Sequence, residues 1–358
     1  MLTVFMATRN GGLTLPRVLE AYTALSLPSG WKLVVIDNRS EDNTCDIVHS
    51  FRDRLPLTYM FEGKLGKNAA LNTGLTKLEG DLAVFTDDDT FPRPDWLICL
   101  HTAAADHPSY SMFGGVIVPR WQASPPEWLS YVPAAPFFAL TDLAQTEGPT
   151  EAGTLFGPNI AVRAEVFRCG ARFNESIGPC AGSYAMGGET ELLQRLSRLG
   201  HKAWHVRSAV VEHYIREYQM DRSWLLGRAI RFGRGQFLLS QWDQPSALPR
   251  WPAVAARLAP RICRRMIRIA GAWLTSNERE LFTAQRELCY NWGILIEAHR
   301  ARRQRAIFGA SGTADKSEPP STAEEEPPYT AKESYEAPGN FGCEALRRIR
   351  SHSPQQFT

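Results

Sequence analysis

The chain has 358 residues, 44% of them hydrophobic, with ten tryptophans and a formal net charge of +2. That length supports one large α/β domain with appendages or two domains, and so even a charge balance points to neither nucleic acid nor an acidic partner. Cys45, Cys99, Cys169, Cys180, Cys263, Cys289 and Cys343 are odd in number and hold no C-x-x-C pair, which argues against a disulfide framework or zinc knuckle and favours a reducing compartment.

Leu2–Ala7 is an apolar strand that lacks the basic flank of a signal peptide, and Thr8-Arg9-Asn10-Gly11-Gly12 is its turn. Leu13–Leu25 carries apolar residues at helical spacing. Lys32–Ile36 is a second strand ending at Asp37-Asn38-Arg39-Ser40, and Glu41–Thr44 supplies caps for a helix to about Phe51. Leu57–Glu62 reads as a third strand, Lys67–Leu78 as a helix and Asp81–Thr86 as a fourth strand. Alternating strands and helices imply a parallel sheet with right-handed crossovers, an α/β layer of nucleotide-binding type.

The fourth strand delivers Asp87, Asp88 and Asp89 into a turn closed by Pro92, Pro94 and Trp96. Adjacent like charges oppose folding unless a cation neutralises them. Hard oxygen ligands at a strand's carboxyl end suit Mg²⁺ or Mn²⁺ carrying a phosphate, and that end is where open α/β sheets bind ligands. An acidic surface turn is the plain alternative.

Pro119–Pro149 mixes prolines with Trp121, Trp128, Tyr131, Phe137 and Phe138. Regular structure is not expected there, and the aromatics suit either a sugar- or lipid-facing surface or the flank of the core. Ala181–Gly188 is a small-residue run feeding a helix, Glu189–Leu199, that stops at Gly200. His201–His205 and Ala209–His213 read as two short strands. Arg250–Arg268 interleaves five arginines with apolar residues, which fits an anionic bilayer surface as well as it fits packing on the domain. Ser311–Asn340 is rich in Pro, Glu, Ser and Thr and is expected to be disordered. No window holds the ~20 uninterrupted apolar residues of a membrane-spanning helix.

Four segments in order carry a family resemblance: Val4–Asn10; Val34–Thr44, similar to D-N-x-S-x-D-x-T; Gly66–Gly74, matching G-K-x-x-A-x-N-x-G; and Phe85–Leu97, similar to F-T-D-D-D-x-x-P-x-P-x-W-L. The sequence resembles a family 2 glycosyltransferase of the GT-A fold over about residues 2–240. The resemblance implies an α/β nucleotide-diphospho-sugar transferase fold, with a mostly parallel central sheet flanked by helices and a helical C-terminal appendage. Its expected divisions are 1–240 (donor half about 1–118, acceptor half about 119–240), a basic helical region 241–308 and a disordered tail 309–358. It further implies inverting transfer from a nucleotide-diphosphate sugar, UDP being the commonest choice with dTDP and GDP open. The acceptor would be a glycan or lipid-linked, and the enzyme cytoplasmic, with peripheral contact at the inner face of the cell membrane.

Carried over by position, Thr8, Arg9, Asn10 and Asp37 frame base and ribose, and Lys67 holds base or phosphate. Asp87 faces the ribose with Asp88 beside it, while Asp89 and His213 are implied as ligands of Mg²⁺ or Mn²⁺. Arg228, Arg231 and Arg234 lie on an Arg-rich helix that the resemblance brings towards the diphosphate. The family's base stands in G-E-D-x-E-L. Here Gly187-Gly188-Glu189-Thr190-Glu191-Leu192 puts Glu189 in place of the aspartate and Gly188 in place of the preceding glutamate. A glutamate is competent to deprotonate a hydroxyl, and a helix N-terminus keeps it ionised. The altered motif also leaves open an inactive fold that binds a glycan or a partner. A dinucleotide oxidoreductase is disfavoured because the first turn lacks G-x-G-x-x-G, and a sugar nucleotidyltransferase because no glycine-rich arginine-lysine loop is present.

Overall fold

The computed structural model describes residues 1–27, 29–179, 184–242 and 251–310, all within one compact unit. Of the expected disordered tail, residues 311–358 lie outside the described residues, as do Cys180–Ser183 and Arg250, while 309 and 310 close the last helix. The strands are β1 (Leu2–Thr8), β2 (Trp31–Asp37), β3 (Leu57–Phe61), β4 (Leu82–Asp87), β5 (Thr90–Pro92), β6 (Met112–Trp121), β7 (Gly148–Thr150), β8 (Ile160–Arg163) and β9 (Ala203–Ile215). The helices are α1 (Leu15–Tyr22), α2 (Thr44–Ser50), α3 (Lys67–Gly74), α4 (Trp96–Asp106), α5 (Ala134–Phe138), α6 (Ala164–Arg168), α7 (Gly188–Arg198), α8 (Arg222–Trp242), α9 (Trp251–Leu274) and α10 (Glu278–Ala310).

These strands form one sheet in the order β3-β2-β1-β4-β8-β6-β9-β5, with β7 also on β9. β1 to β4 are mutually parallel where they pair, as the alternation predicts. Beyond β4 the sheet is mixed: β8 is antiparallel to both β4 and β6, while β6 and β9 run parallel. Apolar residues point both ways along the first strands. Leu2, Val4, Met6, Leu33 and Val35 pack with Leu15, Val18 and Tyr22 of α1, while Phe5, Val34 and Ile36 pack with Ala70 and Leu71 of α3 on the opposite face. Such double burial is what a continuous apolar run in a covered parallel strand signifies. β1 lies between β2 and β4, so the chain reverses its direction of travel across the sheet at β1, and ligands bind beside such a switch point.

Three expectations are corrected. The segment after β6 is not irregular: a 3₁₀ turn at Glu127–Tyr131 and α5 organise it, because the aromatics pack inward. Trp121 meets Phe138 edge-on at 5.6 Å, Phe138 stacks on Trp224 of α8 at 6.3 Å, and Trp128 meets Phe282 of α10 at 5.4 Å. These rings fill the flank of the core. The two short strands around His205 and His213 are one strand, β9, which slips register against β6 between Gly115 and Val116. Asn159 holds that irregularity: its amide donates to the carbonyls of Val116 and Ala209 (3.0 and 2.9 Å) and its Oδ1 accepts from Trp96 Nε1 at 2.8 Å. The helix opening at Lys67 ends at Gly74 and tightens into a 3₁₀ turn, Leu75–Lys77; Gly74 packs so close to Ile36 that a Cβ would stand 2.7 Å from its Cδ1.

Asn159 is fully buried, so Asn159→Ala strands three polar groups at once. Unfolding free energy measured in urea should fall by about 3 kcal/mol, and a loss below about 1 kcal/mol would contradict this account of the slip.

Candidate active site

The turns after β1 and β2 are laced together, which gives their polar residues a structural reason to exist. Asn10 takes a left-handed conformation (φ 53°). Its N–H donates to Ser40 Oγ at 2.9 Å, and its Oδ1 accepts the Glu41 N–H at 2.9 Å. The N–H groups of Gly11 and Gly12 donate to Thr44 Oγ1 and Asp42 Oδ2, both at 2.9 Å. Asp37 is buried; its Oδ1 accepts the Ser40 N–H at 2.8 Å and its Oδ2 the Tyr59 hydroxyl at 2.9 Å. Each Asp37 oxygen retains capacity for a second hydrogen bond. Arg9 is half-buried beside this turn, and its Nε has no partner.

Lys67 is the first residue of α3, and its Nζ lies 2.6 Å from Asp87 Oδ1 and 2.5 Å from Glu189 Oε1. A single ammonium thus joins the end of β4 to the start of α7. The sequence alone assigned Lys67 to the donor and did not pair it with Glu189. Burial works against the lysine's charge, but the two carboxylates outweigh it and raise its pKa. Burial likewise opposes the Glu189 carboxylate. The charge and hydrogen bond of Lys67, with a backbone N–H and Arg228, hold its pKa below the usual value. Asp87 is pushed up, by burial and by the charges of Asp89 and Glu189 against the pull of Lys67.

Asp88 turns to Thr8, whose Oγ1 donates to its Oδ2 at 2.5 Å, and burial plus the adjacent Asp89 charge push its pKa up to about 7. Asp89 faces β9: Arg216 Nη1 lies 2.9 Å from its Oδ2 and His213 Nε2 3.5 Å from its Oδ1. Burial disfavours the Asp89 charge, yet His213 and Arg216 hold its pKa below the ordinary range. His213 Nδ1 lies 2.6 Å from the Phe138 carbonyl. Nδ1 must therefore carry a proton, and neutral His213 directs the Nε2 lone pair at a carboxylate oxygen. That contact is repulsive unless the ring is protonated or a cation stands between the two. Asp89 does raise the His213 pKa, against the opposing effect of burial. The donor types of Asp89 and His213 and the gap between them would suit a divalent ion. Among the described residues no group of three or more His, Cys, Asp or Glu side chains could hold a metal by itself.

Several residues that position the site were not singled out from the sequence. Asn38 donates to the carbonyls of Glu62 and Lys64 (3.2 and 2.8 Å) and accepts the Gly66 N–H at 2.7 Å, setting the loop before Lys67. Asn68 donates to the carbonyls of Asn174 and Ile177, and Asn72 to that of Phe173, tying α3 to the segment that leads towards Glu189. A Cβ on Gly188 would stand 2.6 Å from Asn68 Nδ2, so Asn68 occupies the space in which the family's extra glutamate would begin. Gly157 makes similar room, since its Cβ would lie 2.7 Å from Glu189 Oε1. Asn68 and Asn72 were legible as polar residues at i, i+4 on a helix otherwise lined with Ala and Leu. Arg216 offered only its place three residues after His213. Glu191 points away and pairs with Arg195 at 2.7 Å.

Residues 3–170 match the family described as Glycosyl transferase family 2. A glucosyl-dolichyl phosphate glucuronosyltransferase of Haloferax volcanii is 26% identical over 167 residues, covering 46% of this chain and 50% of that protein. The chain therefore spans only half the length of that relative. A second protein of the same organism, named glycosyltransferase AglE, is 23% identical over 248 residues, 68% of this chain and 75% of that protein. The structure of the mannosyltransferase PcManGT from Pyrobaculum calidifontis, in complex with GDP-Man and Mn²⁺, is similar in fold. It has a TM-score of 0.54 at 20% identity and covers 84% of this chain and 87% of that one. Residues 3–170 are thus similar to glycosyltransferase family 2, and the chain has the GT-A fold.

Proposed function

We propose that the protein transfers a sugar, with inversion, from a nucleotide-diphosphate sugar to a hydroxyl of a glycan or lipid-linked acceptor, assisted by Mg²⁺ or Mn²⁺. The observation that carries this reading is the Lys67 bridge, which sets a carboxylate at the head of α7 beside the acidic end of β4. On this reading Arg9, Asn10 and Asp37 frame the base and ribose, and Thr8 keeps Asp88 turned aside so that Asp87 faces the ribose. Asp89 and His213 would hold the metal, which when bound supplies positive charge to the departing diphosphate. Glu189 takes the proton from the attacking hydroxyl on the face opposite the leaving group. Lys67 keeps that carboxylate ionised until the acceptor hydroxyl arrives. UDP is the first donor nucleotide to test, with GDP and dTDP beside it.

Peripheral membrane contact belongs to the same proposal, with a narrower footprint than the full basic run. Arg265 and Arg268 are spent on Glu287 and Glu280 of α10, at 3.2 and 2.6 Å. Arg257, Arg261 and Arg264 remain on the exposed side of α9, with Met266, Ile267, Trp273 and Leu274 exposed further along it. Basic and apolar residues on one exposed helix suit an anionic bilayer. No helix among the described residues is long and apolar enough to cross a membrane.

Glu189→Gln should lower kcat by about 10³-fold while leaving the Mn²⁺-dependent thermal shift with UDP or GDP unchanged. Retained turnover removes Glu189 as the base, and the absence of any nucleotide-dependent shift in the wild type removes the donor site. Since Glu189 is ionised above a depressed pKa, kcat/KM should hold through the usual glutamate range and fall only below it. Lys67→Met releases the carboxylate to the effect of burial, so the acid limb of the pH profile should move to higher pH. Reversing Arg257, Arg261 and Arg264 to Glu should weaken co-sedimentation with phosphatidylglycerol vesicles by about 100-fold, leaving turnover of a soluble acceptor intact.

A further inference from the structure

Arginines on and around α8 mostly have carboxylate partners. Arg222 pairs with Glu278 at 2.5 Å, Arg234 with Glu297 at 2.8 Å, and Arg216 with Asp89 at 2.9 Å. Arg228 and Arg231 do not. Among the described residues neither side chain forms an ion pair or donates a hydrogen bond, and the Nε of each is buried without a partner. They lie at i, i+3 on one face of α8, with guanidinium carbons 5.1 and 5.7 Å from the centre of the Trp224 ring. Two like charges gathered on one indole repel each other, and ring faces compensate only part of the lost hydration. An unpaired, half-buried pair of this kind is a site awaiting an anion.

Position decides which anion. The Met186 N–H donates to the Arg231 carbonyl at 3.1 Å. A Cβ on Gly235 would come 1.7 Å from the Met186 carbonyl oxygen, so only glycine lets α8 touch this loop. Arg231 also lies over Tyr184, 5.0 Å from its ring centre. The loop fastened here runs directly into α7, whose second residue is Glu189, so Arg231 is tied to the segment that leads to that carboxylate. Arg228, one turn earlier, reaches both ways electrostatically: it feels Asp87 and Asp89, and its charge acts on Glu189. Nearer the aspartates, Lys67 and Arg216 already supply positive charge where the donor diphosphate would lie.

We propose that Arg228 and Arg231 form the seat for a phosphate group carried by the acceptor, close to the hydroxyl that Glu189 deprotonates. This deepens the reading above, on which the Glu189 side is the acceptor side. Two guanidiniums one turn apart match the charge and forked geometry of a phosphate better than those of a singly charged carboxylate. The acceptor is thereby an acidic, phosphorylated molecule rather than a neutral glycan.

The test uses the full chain and inorganic phosphate as probe, read by thermal shift and isothermal titration. With UDP and Mn²⁺ saturating, phosphate should stabilise the wild type further. Arg228→Met and Arg231→Met should each weaken phosphate binding by about tenfold or more, with UDP affinity within about twofold of wild type. Arg228→Lys and Arg231→Lys keep the charge without the fork, and an intermediate loss in these more conservative variants is expected. The proposal is overturned if phosphate adds nothing to the UDP-loaded wild type. It is equally overturned if the methionine variants lose UDP instead, which would assign the pair to the donor diphosphate. If no nucleotide binds the wild type, the donor reading fails separately. Phosphate titrated into the nucleotide-free chain then decides the seat, upheld by arginine-dependent binding and refuted by its absence.

Discussion

One half-buried ammonium organises the carboxyl edge of the sheet. Lys67 stands between Asp87, at the end of β4, and Glu189, at the head of α7, residues about a hundred positions apart in the chain. Without it two carboxylates would face each other in a poorly hydrated cleft, and burial would drive one of them to take up a proton. With it both are held at hydrogen-bonding distance from one nitrogen. The lysine is itself held at its backbone: its N–H donates to the Pro179 carbonyl at 3.0 Å, and Gly66 before it adopts φ 141°, a conformation that glycine tolerates best. Asn38, fastening Gly66, completes the chain of support from β2 to the bridge.

The polar residues of the family motifs serve the scaffold as much as any ligand. Asn10, Ser40, Asp42 and Thr44 join two turns whose backbone N–H groups would otherwise lack partners at a buried edge. Asn68 and Asn72 pin the segment at 172–179 to α3, and Gly157 and Gly188 leave room for side chains rather than for backbone freedom. Gly188 is thus explained by its neighbour. The space a glutamate would need is filled by Asn68, while Glu189 keeps its bridge to Lys67.

The aromatic segment after β6 and the C-terminal helices act on the site from behind. Phe138 stacks on Trp224 of α8, and its carbonyl meets His213 Nδ1, so packing of a hydrophobic flank selects the imidazole tautomer beside Asp89. α8 in turn carries Arg228 and Arg231 and the glycine that admits the loop ahead of Glu189. The helix that buttresses the aromatic flank also contacts the loop ahead of Glu189.

Local pattern was sufficient for the first half of the fold. Apolar runs bounded by Asn, Gly and Asp turns mark β1 to β4 and their helices, because strand period, helix period and turn chemistry are all short-range properties. The cluster Asp87–Asp89 was visible for the same reason, whereas Glu189 was singled out by the resemblance of its motif. Tertiary structure alone decided the mixed half of the sheet, the joining of two expected strands into β9, and the inward turn of the aromatics, since each depends on packing against segments far along the chain. It also decided partners. Sequence shows that Lys67, Asp87, Glu189, Asp89, Arg216 and His213 carry charge or can carry it. Which charges meet depends on the crossing of β4, β9, α3 and α7 at one edge, and a Coulomb interaction is set by distance in space rather than along the chain.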